Sequence, residues 1–242
     1  MPSPRPLEIG LTRALHVREE RLTPRHDACR LLYVSDIHLR NGRSDTLCRQ
    51  VVDAATRCQP DVVLLGGDLA DHRAELSNLR DLVACLEDIA PVFAVGGNHD
   101  SRIGIDRVGD AVVQGGGRWI HDSTAHLAHA GRTIAVSGPG RMHHAQRGDE
   151  KNGYVRILCA HDPRIWKTSR NAGYDLVLAG HLHGGQVVAW WHRDRLFPGA
   201  LFYPYCFLSH HSGSTRLVVS RGVSDLVPIR WHCPREVVLC HV

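Results

Sequence analysis

Long apolar runs are missing from this 242-residue chain. No stretch approaches the ~20 consecutive apolar residues that a membrane-crossing helix needs. Lysine is almost absent as well: of 29 Lys and Arg, only Lys151 and Lys167 are lysines. The formal charge of +4 is too small to call for a nucleic-acid partner. An arginine-dominated positive charge would suit anion recognition by planar guanidinium forks, but a GC-rich coding bias is the simpler account of most of these residues. The eight cysteines, at 29, 48, 58, 85, 159, 206, 233 and 240, form no C-x-x-C pair and no compact framework. Several lie in apolar stretches, where a free thiol packs as a small hydrophobe. They read as reduced and structural, and the polar, Pro/Arg-rich stretch from Met1 to Arg30 lacks the apolar core of a secretory signal. Both observations predict a cytoplasmic protein. Residues 1–29 read as a polar N-terminal extension, flexible in part.

What the chain does have is an ordered series of five short groups of metal-ligating residues. They are Asp36-Ile37-His38, Gly67-Asp68-Leu69-Ala70-Asp71, Gly97-Asn98-His99-Asp100, a lone His161, and Gly180-His181-Leu182-His183. Asp and His hold divalent ions such as Mn, Fe and Zn. Four of the groups follow an apolar run that reads as a buried strand: Leu31–Val34, Val62–Leu65, Val92–Val95 and Leu176–Ala179. Residues two apart on a strand point the same way, so Asp36 with His38, and His181 with His183, are expected to leave their strand ends in one direction. The preceding glycines allow sharp turns and close approach. Taken singly, Asp68 and Asp71 read as caps of the following helix, and His161 as a core or surface histidine. Five groups in series at strand ends outweigh those readings.

The rest of the chain predicts the frame. Ser44–Cys58 and Ala74–Ala90 carry apolar residues at helical spacing, ended by Pro60 and Pro91. This βαβαβ order implies a parallel sheet. Beyond Trp119 come a hairpin turning at Ala130-Gly131 and further strands at 156–159, 175–179, 187–191, 216–220 and 236–241, so many that two packed sheets with outer helices are expected. One domain spanning 1–242 is expected. The aromatic segment from Trp190 to Leu208 is too broken to span a membrane. Packing in the second sheet is its simpler reading, and an apolar wall or interfacial patch beside the site is the other.

The five groups, in this order, resemble the calcineurin-like metallophosphoesterase superfamily, whose pattern is D-x-H, G-D-x-x-D, G-N-H-[DE], H and G-H-x-H. The resemblance covers roughly Leu31 to His183. The continuation Gly184-Gly185-Gln186, with Val218-Val219-Ser220-Arg221-Gly222 near the C-terminus, is similar to a bacterial branch that includes YkuE-type phosphoesterases and UDP-2,3-diacylglucosamine hydrolases. His72 and Asp100 stand where protein Ser/Thr phosphatases carry Arg and Glu, which argues against that activity.

The resemblance implies an α/β fold, a four-layer αββα sandwich of two mixed β-sheets flanked by helices. It also implies two divalent ions, with Mn favoured and Fe or Zn as alternatives. By motif position one ion takes Asp36, His38 and His183, and the other takes Asn98, His161 and His181, with Asp68 bridging through its two oxygens. His99 is then the general acid or electrostatic stabiliser at the leaving oxygen. Asp71 orients His99, and Asp100 supports the ligands from behind. The implied reaction is hydrolysis of a phosphodiester or pyrophosphate by metal-activated water. UDP-2,3-diacylglucosamine or another lipid-linked phosphoester is the first candidate substrate, with peripheral membrane contact as a corollary. A soluble phosphodiesterase or nuclease is the alternative enzyme. A non-catalytic scaffold is disfavoured because every ligand position is intact. No substrate-binding residue is assigned, and thirteen histidines outside the motifs, including His143-His144 and His210-His211, read as surface or local structure.

Overall fold

The computed structural model describes residues 7–141 and 153–242; His143 and His144 lie outside the described residues. Two six-stranded sheets form the frame. The first has the order β2 (His16–Arg21), β16 (Glu236–His241), β3 (Arg30–Val34), β4 (Val62–Gly66), β5 (Val92–Val95) and β6 (Arg118–Trp119). The second has the order β13 (Ser209–Ser212), β14 (Thr215–Val219), β10 (Leu176–Ala179), β9 (Tyr154–Cys159), β8 (Arg132–Ser137) and β7 (Thr124–His129). Both are mixed. Strands β3 to β6 run parallel, as do β14, β10, β9 and β8, while β16 meets β3, and β13 and β7 meet their neighbours, antiparallel. Two small ribbons complete the strands, β1 (Glu8–Ile9) with β15 (Ile229–Arg230) and β11 (Val188–His192) with β12 (Arg195–Pro198).

The period of two decides which layer each side chain joins. Leu31, Tyr33, Val62, Leu64, Phe93 and Val95 face the second sheet, where they meet Ile134, Val136, Ile157, Leu176 and Leu178. Their alternates Leu32, Val34, Val63 and Leu65 face helices α1 (Ser44–Cys58), α2 (Leu76–Glu87) and α4 (Ile105–Gln114) through Leu47, Val51, Leu79, Val83, Val108 and Val112. The outer face of the second sheet packs on Trp166, Tyr174 and Phe207. Trp166 opens the one-turn helix α5 (Trp166–Ser169). The αββα layering expected from the sequence is therefore present, with a thin outer layer on the second sheet. The core rows are fully buried at most positions, where truncation of a leucine to alanine costs about 2–5 kcal/mol.

Three sequence expectations are corrected. The polar N-terminal stretch is no mere extension, since β2 forms an edge of the first sheet beside β16. Its charges explain how a polar segment folds in: Arg18 donates to buried Glu236 at 3.1 Å and to the Val219 carbonyl at 2.8 Å. Helix α4 and the short α3 (Asn98–Ile103) were not anticipated, although Val108, Ala111 and Val112 carry helical spacing. The 190–208 segment divides. Phe207, Leu196 and Cys206 are core, whereas Trp190, Trp191, Tyr203 and the α6 (Gly199–Phe202) residues Leu201 and Phe202 are exposed.

Candidate metal centre

The parallel runs of the two sheets deliver their carboxyl ends to one crevice. Strand β3 leads to Asp36 and His38, β4 to Asp68 and Asp71, and β5 to Asn98 and His99. From the other sheet β9 leads to His161, and β10 to His181 and His183. Main-chain bonds lace these loops together: Asp36 N–H to Gly67 O at 3.0 Å, His38 N–H to Asp68 O at 2.9 Å, Gly180 N–H to His161 O at 2.9 Å, and Ser224 N–H to Asp36 O at 2.9 Å. The candidate ligand positions are thus fixed by backbone before any side chain is considered.

Convergence does not come from the pleat. The strands stop at Val34 and Ala179, and Asp36, His38, Asp68, His181 and His183 all have left-handed φ, from 48° to 74°. Left-handed turns, rather than strand alternation, aim these side chains inward. Gly67 (φ 86°) lets the second loop turn, and Gly97 and Gly180 sit so close to the Asp68 and Asp36 carboxylates that a Cβ would clash with them.

All nine predicted residues meet here, with Asp100 behind them. Donor atoms of Asp36, His38 and His183 lie within 4.8 Å of one another, as do those of Asp68, His161 and His181. Asn98 Oδ1 is 3.1 Å from His161 Nε2, which completes the second group. Asp68 sits between the groups: its Oδ2 is 3.7 Å from His38 Nε2 and 3.1 Å from His161 Nε2. Its Oδ1 accepts the His99 main-chain N–H at 2.8 Å. One oxygen, not two, faces both groups, because the other serves the first turn of α3. Neither Asp68 nor Asp71 caps the following helix, whose start has no side-chain cap.

The donor chemistry fits a pair of divalent cations. His38, His161 and His183 each engage an acceptor through Nδ1: Asp71 at 2.7 Å, the Gly66 carbonyl at 3.1 Å and the Ser224 carbonyl at 3.0 Å. Their Nε2 lone pairs then turn toward the centre, the arrangement of histidine ligands held by outer acceptors. His38 Nε2 and His183 Nε2 stand 3.3 Å apart, and His161 Nε2 and His181 Nδ1 3.2 Å apart. Paired acceptors at that distance require a cation or a proton between them.

The electrostatics agree. Burial disfavours charge on His161, but the Asp68 hydrogen bond and the Asp36 and Asp68 charges outweigh it and hold the ring at about 9. Burial pushes His183 down to about 4 despite Asp36, with the His38 and Arg230 charges adding to the effect. Asp36 and Asp68 stay below the ordinary carboxylate range because the surrounding imidazoles overcome their desolvation.

Asp71 Oδ1 reaches both His38 Nδ1 at 2.7 Å and His99 Nδ1 at 2.9 Å, so one oxygen ties a ligand histidine to the neighbouring motif histidine. Asp100 is fully buried and accepts Leu69 N–H and Ala70 N–H at 2.9 and 3.2 Å on one oxygen, and Gly97 N–H at 2.8 Å on the other. It clamps the Asp68 loop to the Asn98 loop. Burial nonetheless lifts its carboxyl above the usual range.

Sequence reasoning missed a supporting layer from the C-terminal third. Buried Arg230 pairs with Asp225 and donates to the Ser224 carbonyl that holds His183. Arg221 and Arg18 enclose Glu236 beneath the same loops. Gln186 donates to the Val227 and Ile229 carbonyls at 2.6 and 3.1 Å, pinning the 226–231 loop to the turn that carries His183. The extension Gly184-Gly185-Gln186 was the signal for that last contact. A cleft of about 470 Å³ opens beside the second group, lined by Gly97, Asn98, Ser101, His161, Asp162, Arg164 and His181 among others. Arg141 ends the short turn Pro139–Arg141 beyond it.

Comparison with known proteins agrees with this geometry. The chain is 28% identical over 224 residues to phosphodiesterase YaeI of Escherichia coli, covering 87% of this chain and 80% of that protein. It is 30% identical to an uncharacterized metallophosphoesterase of Aquifex aeolicus, covering 89% and 85%. Several other curated relatives are longer, and the alignment with them spans only 58% to 64% of their length. Phosphopantetheinyl hydrolase (PptH) from Mycobacterium tuberculosis shares the fold, with a TM-score of 0.50 at 12% identity over 84% of this chain and 91% of that one. The calcineurin-like phosphoesterase profile matches residues 29–185, well over half of the chain and all five ligand groups. The chain belongs to the calcineurin-like phosphoesterase family, and is a metal-dependent phosphoester hydrolase.

Proposed function

We propose that this protein hydrolyses a phosphodiester or pyrophosphate at two divalent cations, one held by Asp36, His38 and His183 and the other by Asn98, His161 and His181, with Asp68 between them. The observation that carries this reading is the inward convergence of the ring nitrogens, those of His38, His161 and His183 fixed by an outer acceptor on the far side of the ring. Such a cation pair supplies charge neutralisation at the phosphate and an acidified water. Manganese is the first choice for a mixed oxygen and nitrogen set containing a neutral Asn carbonyl, with iron or zinc as alternatives.

The chain's own residues do the rest. His99, ring to ring with His38 at 4.6 Å and held by Asp71 through Nδ1, presents its other nitrogen away from that carboxylate. That nitrogen is the one available to a leaving oxygen as acid or hydrogen-bond donor. The cleft beside His161 and His181 receives the group on one side of the phosphorus. The Gly184-Gly185-Gln186 turn supports placement in the G-H-x-H-G-G-Q branch, and the exposed apolar side chains beside it support a lipid-linked phosphoester as substrate, with UDP-2,3-diacylglucosamine as first candidate.

Metal-reconstituted protein assayed against bis-p-nitrophenyl phosphate, p-nitrophenyl phosphate, UDP-2,3-diacylglucosamine and single-stranded DNA tests these readings. Metal-dependent turnover of diesters in preference to the monoester is expected. Turnover of DNA above the small diesters would replace this reading with the nuclease. No turnover of any substrate by protein carrying both metals would overturn it.

A further inference from the structure

The described residues leave fourteen large apolar side chains exposed, and only Val113 and Tyr154 lie away from one region. The other twelve come from four neighbouring places: the β11–β12 hairpin with the residue before it, helix α6 and Tyr203, the loop 226–231, and the strand β1 paired to it with Leu7 before it. Phe202 is 75% exposed and Leu201 66%, more than any other large apolar side chain described. Contacts join the pieces into one surface. Trp191 stacks on His232, which stacks in turn on Trp231, so hairpin and loop share a layer of rings. Val187 bridges to Trp231, and the Gln186 amide holds the loop from below. Helix α6 packs against the turn that carries His183, so closely that a Cβ added at Gly199 would lie 3.6 Å from the Gly185 Cα. The apolar surface therefore begins at the lip of the metal centre.

We propose that this surface docks the protein on an anionic lipid bilayer, with Trp190, Trp191, Leu201, Phe202, Val227 and Trp231 entering the headgroup region. Its make-up favours lipid. Tryptophan and tyrosine, apolar bodies with a polar tip, are the residues of membrane–water interfaces, and large contiguous apolar patches are rare on chains without an interaction partner. Charge complements an anionic headgroup layer: the hairpin end carries exposed Arg193 and Arg195 against a single exposed acid, Asp194. The other acids of the region, Asp225 and Glu8, are buried against Arg230 and Arg235. Two basic side chains beside inserted aromatics add attraction to acidic lipid near the surface. No helix among the described residues is long and apolar enough to cross the bilayer, so the contact is peripheral. The proposal rests on the phosphoesterase reading only in that the docked face brings the metal centre to substrate at the lipid surface; binding itself is measurable without turnover.

The test is co-sedimentation of the full, metal-loaded chain with vesicles of phosphatidylcholine, alone and mixed with phosphatidylglycerol, with tryptophan emission read in parallel. Binding strengthened by phosphatidylglycerol, reversed by salt and accompanied by a blue shift is expected. Two independent variants, Trp190→Ser/Trp191→Ser and Leu201→Ser/Phe202→Ser, should each lower the partition coefficient by about tenfold or more, from the apolar surface removed. Both should keep the parent's hydrolysis of bis-p-nitrophenyl phosphate, which shows that fold and metals survive. Absence of sedimentation with either vesicle overturns the proposal, as does equal partitioning of both variants and the parent. A parent chain that light scattering finds dimeric, and that the variants render monomeric, also overturns it in favour of a second copy on this face. Protein that binds vesicles yet hydrolyses no phosphoester leaves the docking face standing and removes the proposed reaction; active protein that ignores vesicles does the reverse.

Discussion

Asp71→Asn is the most discriminating substitution at this site, because one oxygen holds two imidazoles of different proposed roles. Oδ1 lies 2.7 Å from His38 Nδ1 and 2.9 Å from His99 Nδ1, in a side chain that is 15% exposed. Asparagine keeps the shape and an acceptor oxygen but removes the charge. A hydrogen bond to an ionised partner contributes about 1.5–3 kcal/mol against about 0.5–1.5 for a neutral one, so each imidazole loses on the order of 1 kcal/mol. On His38 the loss appears as weaker metal binding, about tenfold and within the usual range for the outer partner of a histidine ligand. On His99 it appears as slower turnover, also about tenfold, through lost orientation.

The two effects separate experimentally. Metal titration followed by elemental analysis reads the first, and kcat on bis-p-nitrophenyl phosphate at saturating metal reads the second. Asp71→Asn is expected to fail in both, with a turnover defect that excess metal does not repair. His99→Ala is expected to keep its metals and lose on the order of 10²–10⁴-fold in turnover. An Asp71→Asn protein with parental affinity and kcat would refute the reasoning. Metal loss in His99→Ala would move His99 into the ligand set.

Three further outcomes follow from the geometry. Reconstituted protein should hold about two divalent ions, and chelation should lower its melting temperature, since ligand at 100 times its Kd stabilises by about 2.7 kcal/mol per site; elemental analysis and calorimetry check this, and a stoichiometry fixed at one would remove the dinuclear reading. Gly180→Ala places a Cβ against Asp36 Oδ2 and Ser35 Oγ, and a displaced ligand should cost on the order of 10²-fold in turnover with the fold retained, read as kcat beside an unchanged far-UV spectrum. Glu236, fully buried, would be raised by burial, but the Arg18 and Arg221 charges outweigh that and hold it at about 2, below its ordinary 4.5. A depressed folded value stabilises above about pH 4.5 and is lost as pH falls toward 2, so Glu236→Gln should cost about 3 kcal/mol at neutral pH and flatten the acid limb of a denaturation series.

Much of the frame was legible because its signals are local. Buried parallel strands read as short apolar runs, and Leu31–Val34, Val62–Leu65 and Val92–Val95 match β3, β4 and β5 within a residue. Helix α1 ends where Pro60 requires, with Gln59 left-handed at φ 42°. The hairpin at Ala130-Gly131 carries both positive-φ residues of its turn. What escaped notice depends on partners far away in sequence. Strand β2 reads as solvent because Arg18 to Arg21 are all charged, and only Glu236, 218 positions on, makes Arg18 a buried residue. The same holds for Arg230 and Arg235, charged side chains that are 1% exposed through Asp225 and Glu8. No local pattern distinguishes such an arginine from a surface one.

The candidate ligand positions stand out in the sequence for a reason deeper than the motif. Asp36, His38, Asp68, His181 and His183 occupy left-handed backbone, which costs an ordinary L-residue roughly 1–2 kcal/mol. Asp and His are among the few non-glycine residues enriched there. A β-branched or bulky apolar residue at these positions would strain the loop even if no metal ever bound. The same positions require oxygen or imidazole donors because they face one another across 3.1 to 3.7 Å. Backbone and coordination therefore select the same few residue types, and the motif is doubly determined. Main-chain bonds from Asp36 to Gly67 and from Gly180 to His161 hold the turns in place, so the strain is carried by the two sheets. Three of the five loops are constrained in this way, which leaves little freedom for an Asp or His to appear at those strand ends for any other purpose.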